Sequence, residues 1–263
     1  MTLVVISSTK IQMRIKPRPS QVLLNKESYM HCFVDYRISK EELLSLSKLN
    51  MNPILIPKCN EVYEAINGHP DIQLNILKNK SLTQIIVQKN ISQSLKEVLK
   101  INNINYIVSK KSLSNTYPDD IILNSLILEN YFIHNLKYSD RKLLKSQNSK
   151  VHINVPQGYT KCSILPVRDN ALITSDKGIF ESLKDYGFDI LLLPPGDILL
   201  PSLNYGFIGG VGGMISNDKM AFFGDLDSYK WGSEIKKFLF KYDASPISLR
   251  KGKLIDRGSL LTL

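Results

Sequence analysis

The arrangement of apolar and polar residues along this chain follows a cycle that returns about every 40 to 50 residues. Each pass begins with two short apolar runs joined by a tight turn that contains Asn or Asp. Apolar residues at i, i+3 and i+4 spacing follow, and one more short apolar run ends the pass. The short runs indicate β-strands, and the wider spacing indicates an amphipathic helix. The cycle therefore predicts a repeated unit of strand, strand, helix and strand.

Four complete units can be followed along the chain. In the order strand, strand, helix, strand, they span 71–77, 82–88, 92–102 and 105–109; 121–128, 131–134, 140–147 and 151–155; 162–167, 171–175, 179–186 and 188–193; and 207–215, 220–224, 233–242 and 246–249. Two strands before every helix argue against an open sheet of parallel strands, which needs only one strand per helix.

The fifth unit is divided between the two ends of the chain. A lone strand over 258–263 ends the sequence, while the strand 31–36, the helix 39–49 and the strand 53–57 stand near its start. Pairing of these ends predicts a closed ring of five units around a central axis, an α/β propeller.

Serine residues are predicted to cap three of the helices. Ser39 precedes Glu42 by three residues, a spacing that lets the hydroxyl and the carboxylate each accept a hydrogen bond from an exposed backbone N–H. We expect Ser139 and Ser233 to cap the helices that follow them.

The length and composition favour one compact domain over 29–263, preceded by an N-terminal arm over 1–28. The chain has 263 residues, of which 43% are hydrophobic, and within the arm we expect a short edge strand over 3–7. Prolines and charges interrupt the most apolar stretch, 190–215, and no leader pattern opens the chain, so we expect no membrane segment. Three widely spaced cysteines favour a reduced, cytoplasmic setting.

The chain is basic, with a formal net charge of +10. An excess of this kind attracts anionic partners. Here the basic residues are dispersed and lack interleaved aromatic residues, which indicates a solvated surface rather than a nucleic-acid site.

The candidate site residues stand at the polar starts of the first strands, which are expected to face the axis. His69 and Asp71 would share one face of a strand as a proton acceptor and an orienting carboxylate; alternatively, Asp71 caps the joint before the strand. In the next unit, alignment on the following Ile favours Asp120 over Asp119, and Asp256 stands at the closing strand.

Cys162 is a candidate thiol nucleophile if Lys161 or a nearby imidazole stabilises its thiolate. The alternative is a buried, inert cysteine. The histidines and cysteines lack metal-ligand spacing, so the sequence predicts neither a metal site nor a cofactor. The glycine-rich run 206–213 lacks the ending of a phosphate-binding loop, and we expect it to allow close approach of another backbone or to leave room for a ligand.

Four runs resemble those of an uncharacterised bacterial family of the pentein, or guanidino-group-modifying enzyme, fold, and the resemblance extends from about Cys32 to the end of the chain. They are His69-Pro70-Asp71-Ile72, Gln157-Gly158-Tyr159-Thr160-Lys161-Cys162-Ser163-Ile164, Ile173-Thr174-Ser175-Asp176-Lys177-Gly178-Ile179 and Asn204-Tyr205-Gly206-Phe207-Ile208-Gly209-Gly210. The resemblance implies five ββαβ units around a pseudo-fivefold axis, in a fold that includes agmatine deiminases, dimethylarginine hydrolases and amidinotransferases.

The active enzymes of that fold imply only part of a catalytic site here. Asp71 matches their first acid, and Asp120 is the nearest match to their second. Their histidine falls where this chain has Tyr159, and their cysteine falls where it has Gly258 and Ser259. The usual base and nucleophile are therefore missing.

Two hypotheses follow. The first is a small polar or guanidino ligand at the axis, bound with Asp120, Lys161 and Asp256 beside Asp71. If the protein is an enzyme, Cys162 is its relocated nucleophile and His69 the base, in amidine hydrolysis or transfer through a covalent thiouronium. The second is a non-catalytic binding or scaffold protein of the same fold that engages RNA or an acidic protein.

Overall fold

The computed structural model describes residues 29–78 and 83–263. The predicted N-terminal arm over 1–28 lies outside the described residues, as does Asn79 of the first predicted hairpin turn, Lys78-Asn79. The strands are β1 (Met30–Asp35), β2 (Met51–Ile56), β3 (Leu74–Lys78), β4 (Thr83–Val87), β5 (Tyr106–Val108), β6 (Leu126–Ile127), β7 (Tyr131–His134), β8 (Val151–Asn154), β9 (Ile164–Arg168), β10 (Ala171–Thr174), β11 (Asp189–Leu192), β12 (Gly212–Ser216), β13 (Lys219–Phe222), β14 (Ser245–Ser248) and β15 (Leu261–Thr262). The helices are α1 (Lys40–Lys48), α2 (Pro70–Gln73), α3 (Gln93–Ile101), α4 (Arg141–Ser146), α5 (Thr160–Ser163), α6 (Lys177–Leu183) and α7 (Gly232–Lys241).

These strands form five three-stranded sheets, in the orders β3-β4-β5, β6-β7-β8, β9-β10-β11, β12-β13-β14 and β15-β1-β2. In each sheet the central strand pairs antiparallel with one neighbour and parallel with the other. A helix precedes the parallel strand in every unit, since a parallel connection requires a crossover. The predicted strand, strand, helix, strand unit is confirmed.

The two ends of the described chain form one sheet. Strand β15 pairs antiparallel with β1, with Cys32 opposite Thr262 and Phe33 opposite Leu261. The backbone N–H of Leu263 donates to the carbonyl of His31 at 2.9 Å. The prediction that the chain ends share the fifth unit is therefore confirmed.

The first strands of all five units surround one cavity of about 500 Å³, which we call the axial cavity. Each unit contributes to its wall, for example through Leu74, Leu126, Pro166, Gly213 and Leu261. The molecule thus has the predicted architecture, a pentein-like α/β propeller of five units.

Each longer helix packs its apolar face on the sheet of its own unit. In α3, Leu95 and Leu99 are buried in a cluster with Ile85 and Val87 of β4. Burial of each such side chain contributes roughly 1.5–3 kcal/mol. The helices thereby hold the sheets in place and leave the inner strands free to face the axis.

Three of the predicted first strands begin several residues before the strands that the structure shows. Residues 70–73 and 160–163 form the helical turns α2 and α5, and Ile208–Gly210 forms a 3-10 turn, before the strands proper begin. Pro70 favours a helical start because its φ is already suited to the first helical position. His69 is the N-cap residue of α2, so the prediction that His69 and Asp71 share a strand face is wrong. A single helical turn is too short to show a helical period in the sequence.

One of the three predicted helix caps is confirmed. Ser39 and Glu42 form a capping box at α1. Helix α4 is capped by Asp140 instead of Ser139, whose hydroxyl contacts His134. Helix α7 begins at Gly232, and the hydroxyl of Ser233 bonds to a neighbouring glutamate.

Of the helices that the structure describes, none combines the length and the apolar character needed to cross a membrane.

Candidate functional site

The helical turns α2 and α5, which precede the first strands of their units, meet near the axis and are joined by one asparagine. The Asn124 side-chain oxygen accepts hydrogen bonds from the backbone N–H groups of Lys161 (2.8 Å) and Cys162 (3.2 Å). Its amide nitrogen donates to the carbonyl of Asp71 at 3.0 Å and to the Cys162 sulfur at 3.2 Å. Asn124 therefore fixes the position of α5 against α2.

The Cys162 thiol faces a carboxylate. Its Sγ donates to Oδ2 of Asp71 at 3.1 Å. Burial raises the pKa of the thiol well above its ordinary value, and the charges of Asp71 and Asp256 raise this pKa further. The sulfur therefore carries its proton, and Asp71 is in place to accept that proton.

A serine of the closing unit links Asp71 to a buried lysine. The Ser259 hydroxyl lies 2.7 Å from Oδ2 of Asp71 and accepts a hydrogen bond from Nζ of Lys161 at 2.9 Å. The backbone N–H of Asp71 donates to the carbonyl of Gly258 at 3.2 Å. The C-terminal segment of the closing unit thus completes the surroundings of Asp71, although residues 256–263 contain no cysteine.

His69 is buried between two carboxylates without touching either. Its Nδ1 lies 3.9 Å from Asp256 and its Nε2 lies 4.0 Å from Asp35. Among the described residues, neither ring nitrogen has a hydrogen-bond partner. Ligand atoms of His69, Asp71 and Cys162 lie within 4.8 Å of one another, so these three side chains form a group that could hold a metal ion.

Asp256 is held by the backbone around the glycine-rich run. Its two oxygens accept hydrogen bonds from the N–H groups of Phe207 (2.8 Å) and Gly258 (2.9 Å). Burial raises the pKa of Asp256 above its ordinary value. At Gly209, a Cβ atom would overlap the carbonyl oxygens of Lys161 and Cys162, which confirms the predicted close approach of another backbone.

A second cavity of about 240 Å³, which we call the site cavity, makes several of these side chains accessible to a ligand. Its buried wall includes His69, Cys162 and Asp256. The aromatic side chains on its wall are Tyr63, Tyr159, Tyr205 and Phe207. A ligand in the site cavity would therefore meet a thiol, an imidazole and a carboxylate together with aromatic rings.

Asp120 reaches the site cavity only through a tyrosine. The Tyr159 hydroxyl donates a short hydrogen bond to Oδ2 of Asp120, and the Tyr159 ring stacks on Phe207 with centroids 6.0 Å apart. Burial raises the pKa of Asp120 above its ordinary value. Asp120, which the alignment of the two strand starts favoured, is buried, whereas Asp119 is exposed.

The six predicted site residues come together around the axis, but they do not share one cavity. His69, Cys162 and Asp256 line the site cavity, whereas Asp71 and Lys161 line the axial cavity. Asp71 bonds to Cys162 and so stands between the two cavities.

Sequence reasoning missed Asn124 and Asp35. The polar pair Asn124-Ser125 inside the apolar run 121–128 was the available signal for Asn124. Asp35 is the last residue of β1 and is buried in an ion pair with Arg37. The centre holds more carboxylates than cations. Its four buried carboxylates are Asp35, Asp71, Asp120 and Asp256, and the two cationic side chains beside them are Arg37 and Lys161.

Solved structures with a similar fold are guanidino-modifying enzymes of the pentein fold. Agmatine deiminase from C. jejuni is 13% identical with a TM-score of 0.51, covering 83% of this chain and 87% of that chain. A DDAH variant from Pseudomonas aeruginosa complexed with citrulline is 8% identical (TM-score 0.49; 84% and 91% covered). The amidinotransferase SxtG from Microseira wollei is also 8% identical (TM-score 0.49; 83% and 88% covered).

At these identities the likeness establishes the fold alone, and it confirms the pentein fold that the sequence runs implied. Among curated proteins, none matches this sequence. The model of a family described as "Family of unknown function (DUF6873)" matches residues 33–261, and this chain therefore belongs to that family.

Proposed function

We propose that the site cavity binds a small guanidinium or amidinium compound and that Cys162 attacks its central carbon, giving hydrolysis of the amidine group. The observation that carries this proposal is the position of Cys162. Its thiol lines the site cavity with His69 and Asp256 while donating a hydrogen bond to Asp71. A nucleophile with a proton acceptor in contact is the arrangement that covalent catalysis requires.

Charge favours a cationic ligand. The buried carboxylates outnumber the buried cations in this centre, and a planar guanidinium forms its strongest hydrogen bonds with carboxylates. Asp256 lines the site cavity, and the rings of Tyr159 and Phe207 offer faces that attract cations. The ligand's positive charge would offset the cost of burying these carboxylates.

The reaction would proceed in two steps. As Sγ of Cys162 bonds to the central carbon, the thiol proton passes to Asp71. That proton is then delivered through His69 to the departing amino group, the carbon–nitrogen bond breaks, and the group leaves as ammonia. The thiouronium left on sulfur is attacked by water, which forms a carbon–oxygen bond and breaks the carbon–sulfur bond. One water proton returns to sulfur and the other converts ammonia to ammonium, leaving a ureido product.

Turnover and binding in the presence of a metal chelator test the proposal. The full chain is incubated with agmatine, arginine and simple alkylguanidines, and ammonia and ureido product are measured. We expect turnover by the parent and by the matched control Cys32→Ala, which alters a buried cysteine of β1. We expect Cys162→Ser to lose turnover while it still binds the guanidine in a thermal-shift assay.

Full turnover by Cys162→Ser would exclude the proposed mechanism. No thermal shift with any guanidine would exclude the proposed ligand class. We do not favour the alternative of an RNA-binding or acidic-protein-binding scaffold, because the basic residues are dispersed along the chain and lack the interleaved aromatic residues of a nucleic-acid site.

A further inference from the structure

The His69, Asp71 and Cys162 cluster contains polar atoms that lack partners. These three residues are 1%, 1% and 2% exposed. Within 29–78 and 83–263, both ring nitrogens of His69 and Oδ1 of Asp71 are buried without a hydrogen-bond partner. Buried polar atoms nearly always have partners in folded proteins, so three orphaned atoms in one cluster point to a missing occupant.

The donor types select the kind of occupant. An imidazole nitrogen, a thiolate sulfur and a carboxylate oxygen are all ligands of Zn²⁺, whereas Ca²⁺ and Mg²⁺ prefer oxygen ligands. The ligand atoms lie within 4.8 Å of one another. Given the bond lengths of zinc, a tetrahedral site requires ligand atoms roughly 3.4–3.8 Å apart. Side-chain rotations that move the ligand atoms by about 1 Å would bring them to this separation.

The surroundings of the cluster also suit a metal ion. Zinc-bound histidines usually face a carboxylate with their second ring nitrogen. Here Asp256 stands on the Nδ1 side of His69 and Asp35 on the Nε2 side, so whichever nitrogen binds the metal, the other faces a carboxylate. Asn124 donates to Sγ of Cys162, and the excess of carboxylates favours a divalent cation.

We propose that His69, Asp71 and Cys162 bind one thiophilic divalent cation, with Zn²⁺ as the reference ion, and that the fourth coordination position opens to the site cavity. Binding forms a sulfur–metal bond and releases the thiol proton to solvent. The site itself is independent of the proposed hydrolysis. Where that hydrolysis occurs, the bound ion occupies the nucleophile and excludes the guanidinium, so the metal acts as an inhibitor.

Metal titration of the chelator-treated full chain tests the site without substrate. We expect calorimetry to give one Zn²⁺ per chain and Co²⁺ to give a thiolate charge-transfer band in the near ultraviolet. Cys162→Ser should abolish this band, and His69→Gln should weaken metal binding by more than about 100-fold, since even residues behind the ligands change affinity 10- to 100-fold. The matched controls Cys32→Ala and His152→Gln should bind like the parent.

A band that persists in Cys162→Ser, or no stoichiometric binding by the parent, would overturn the metal site. If a variant fails to fold, the parent supplies the result: Zn²⁺ should protect Cys162 from alkylation but not Cys32 or Cys59, and equal labelling with and without Zn²⁺ counts against the site. Failure of the metal site can be distinguished from failure of the proposed function, because guanidine binding is measured in the presence of chelator and metal binding is measured without guanidine.

Discussion

Two buried histidines of this chain have opposite surroundings. His134, on β7, has partners for both ring nitrogens: Nδ1 lies 2.6 Å from the Ser139 hydroxyl, and Nε2 lies 3.0 Å from the carbonyl of Gly158. Because a carbonyl only accepts, Nε2 carries the proton and Nδ1 accepts from Ser139. His69 is equally buried, yet within the described part of the chain its ring nitrogens have no hydrogen-bond partner.

The difference separates a structural histidine from a functional candidate. The hydrogen bonds of His134 offset the cost of burying its imidazole, and they tie β7 to residues of the same unit and to the loop before α5. At His69 that cost is not offset by the protein, which leaves the ring available to a ligand in the site cavity. Removing the His134 ring should therefore lower stability, whereas removing the His69 ring should lower turnover.

The largest effect is expected from His69→Leu on turnover. Loss of the group that protonates the departing nitrogen should lower kcat by about 10³-fold, within the range for general acids and bases. The free energy of unfolding should change by less than about 1 kcal/mol, because Leu replaces a ring without hydrogen bonds. Turnover in chelator and urea unfolding measure the two quantities. A large loss of stability with normal turnover would reverse the roles assigned to the two histidines.

The pH dependence of stability should depend on His134. Burial lowers the pKa of His134 from 6.5 to about 4 in the folded protein. Between these values the unfolded chain binds more protons, so stability is full above about pH 6.5 and falls as the pH drops toward 4. The shift corresponds to about 3 kcal/mol. Urea unfolding of the parent and His134→Leu from pH 7 to pH 4 should show the gap between them closing in acid; an unchanged gap would contradict the assignment.

At neutral pH, His134→Leu should lower the free energy of unfolding by about 2 kcal/mol. The substitution leaves the carbonyl of Gly158 and the hydroxyl of Ser139 without their ring partners, and buried groups of this kind cost about 1–3 kcal/mol. Guanidine binding should persist, since His134 does not line the site cavity. Comparison of the melting curves of His134→Leu and His69→Leu tests this directly, and equal losses of stability would refute it.

The sequence predicted the repeated unit well because strand and helix periods alternate over several residues. It also predicted the divided fifth unit, since the strand 258–263 lacked neighbours and the start of the chain lacked that strand. It did not reveal the helical turns α2 and α5, which are only four residues each. These turns carry Asp71, Lys161 and Cys162, so the site was less predictable than the fold.

The two histidines illustrate the same limit. Neither has a second histidine or a cysteine at metal-ligand spacing in the sequence. The partners of His134 come from Ser139 and Gly158, while the neighbours of His69 come from Asp35 and Asp256 of distant segments. Closure of the ring brings Asp35 and Asp256 to His69, so the surroundings of that ring could not be inferred before the fold was known.

The smallest effect is expected from Ser139→Ala, which removes one partner of His134 and leaves its ring. Nδ1 would lose the hydroxyl that donates to it, at a cost of about 1 kcal/mol in the free energy of unfolding. Because Nε2 keeps its bond to Gly158, the loss should be smaller than in His134→Leu. Urea unfolding at pH 7 measures it, with Ser233→Ala, an exposed serine of α7, as the control. If Ser139→Ala were as stable as the parent, the Ser139 hydroxyl would not stabilise His134, and only the bond to Gly158 would distinguish His134 from His69.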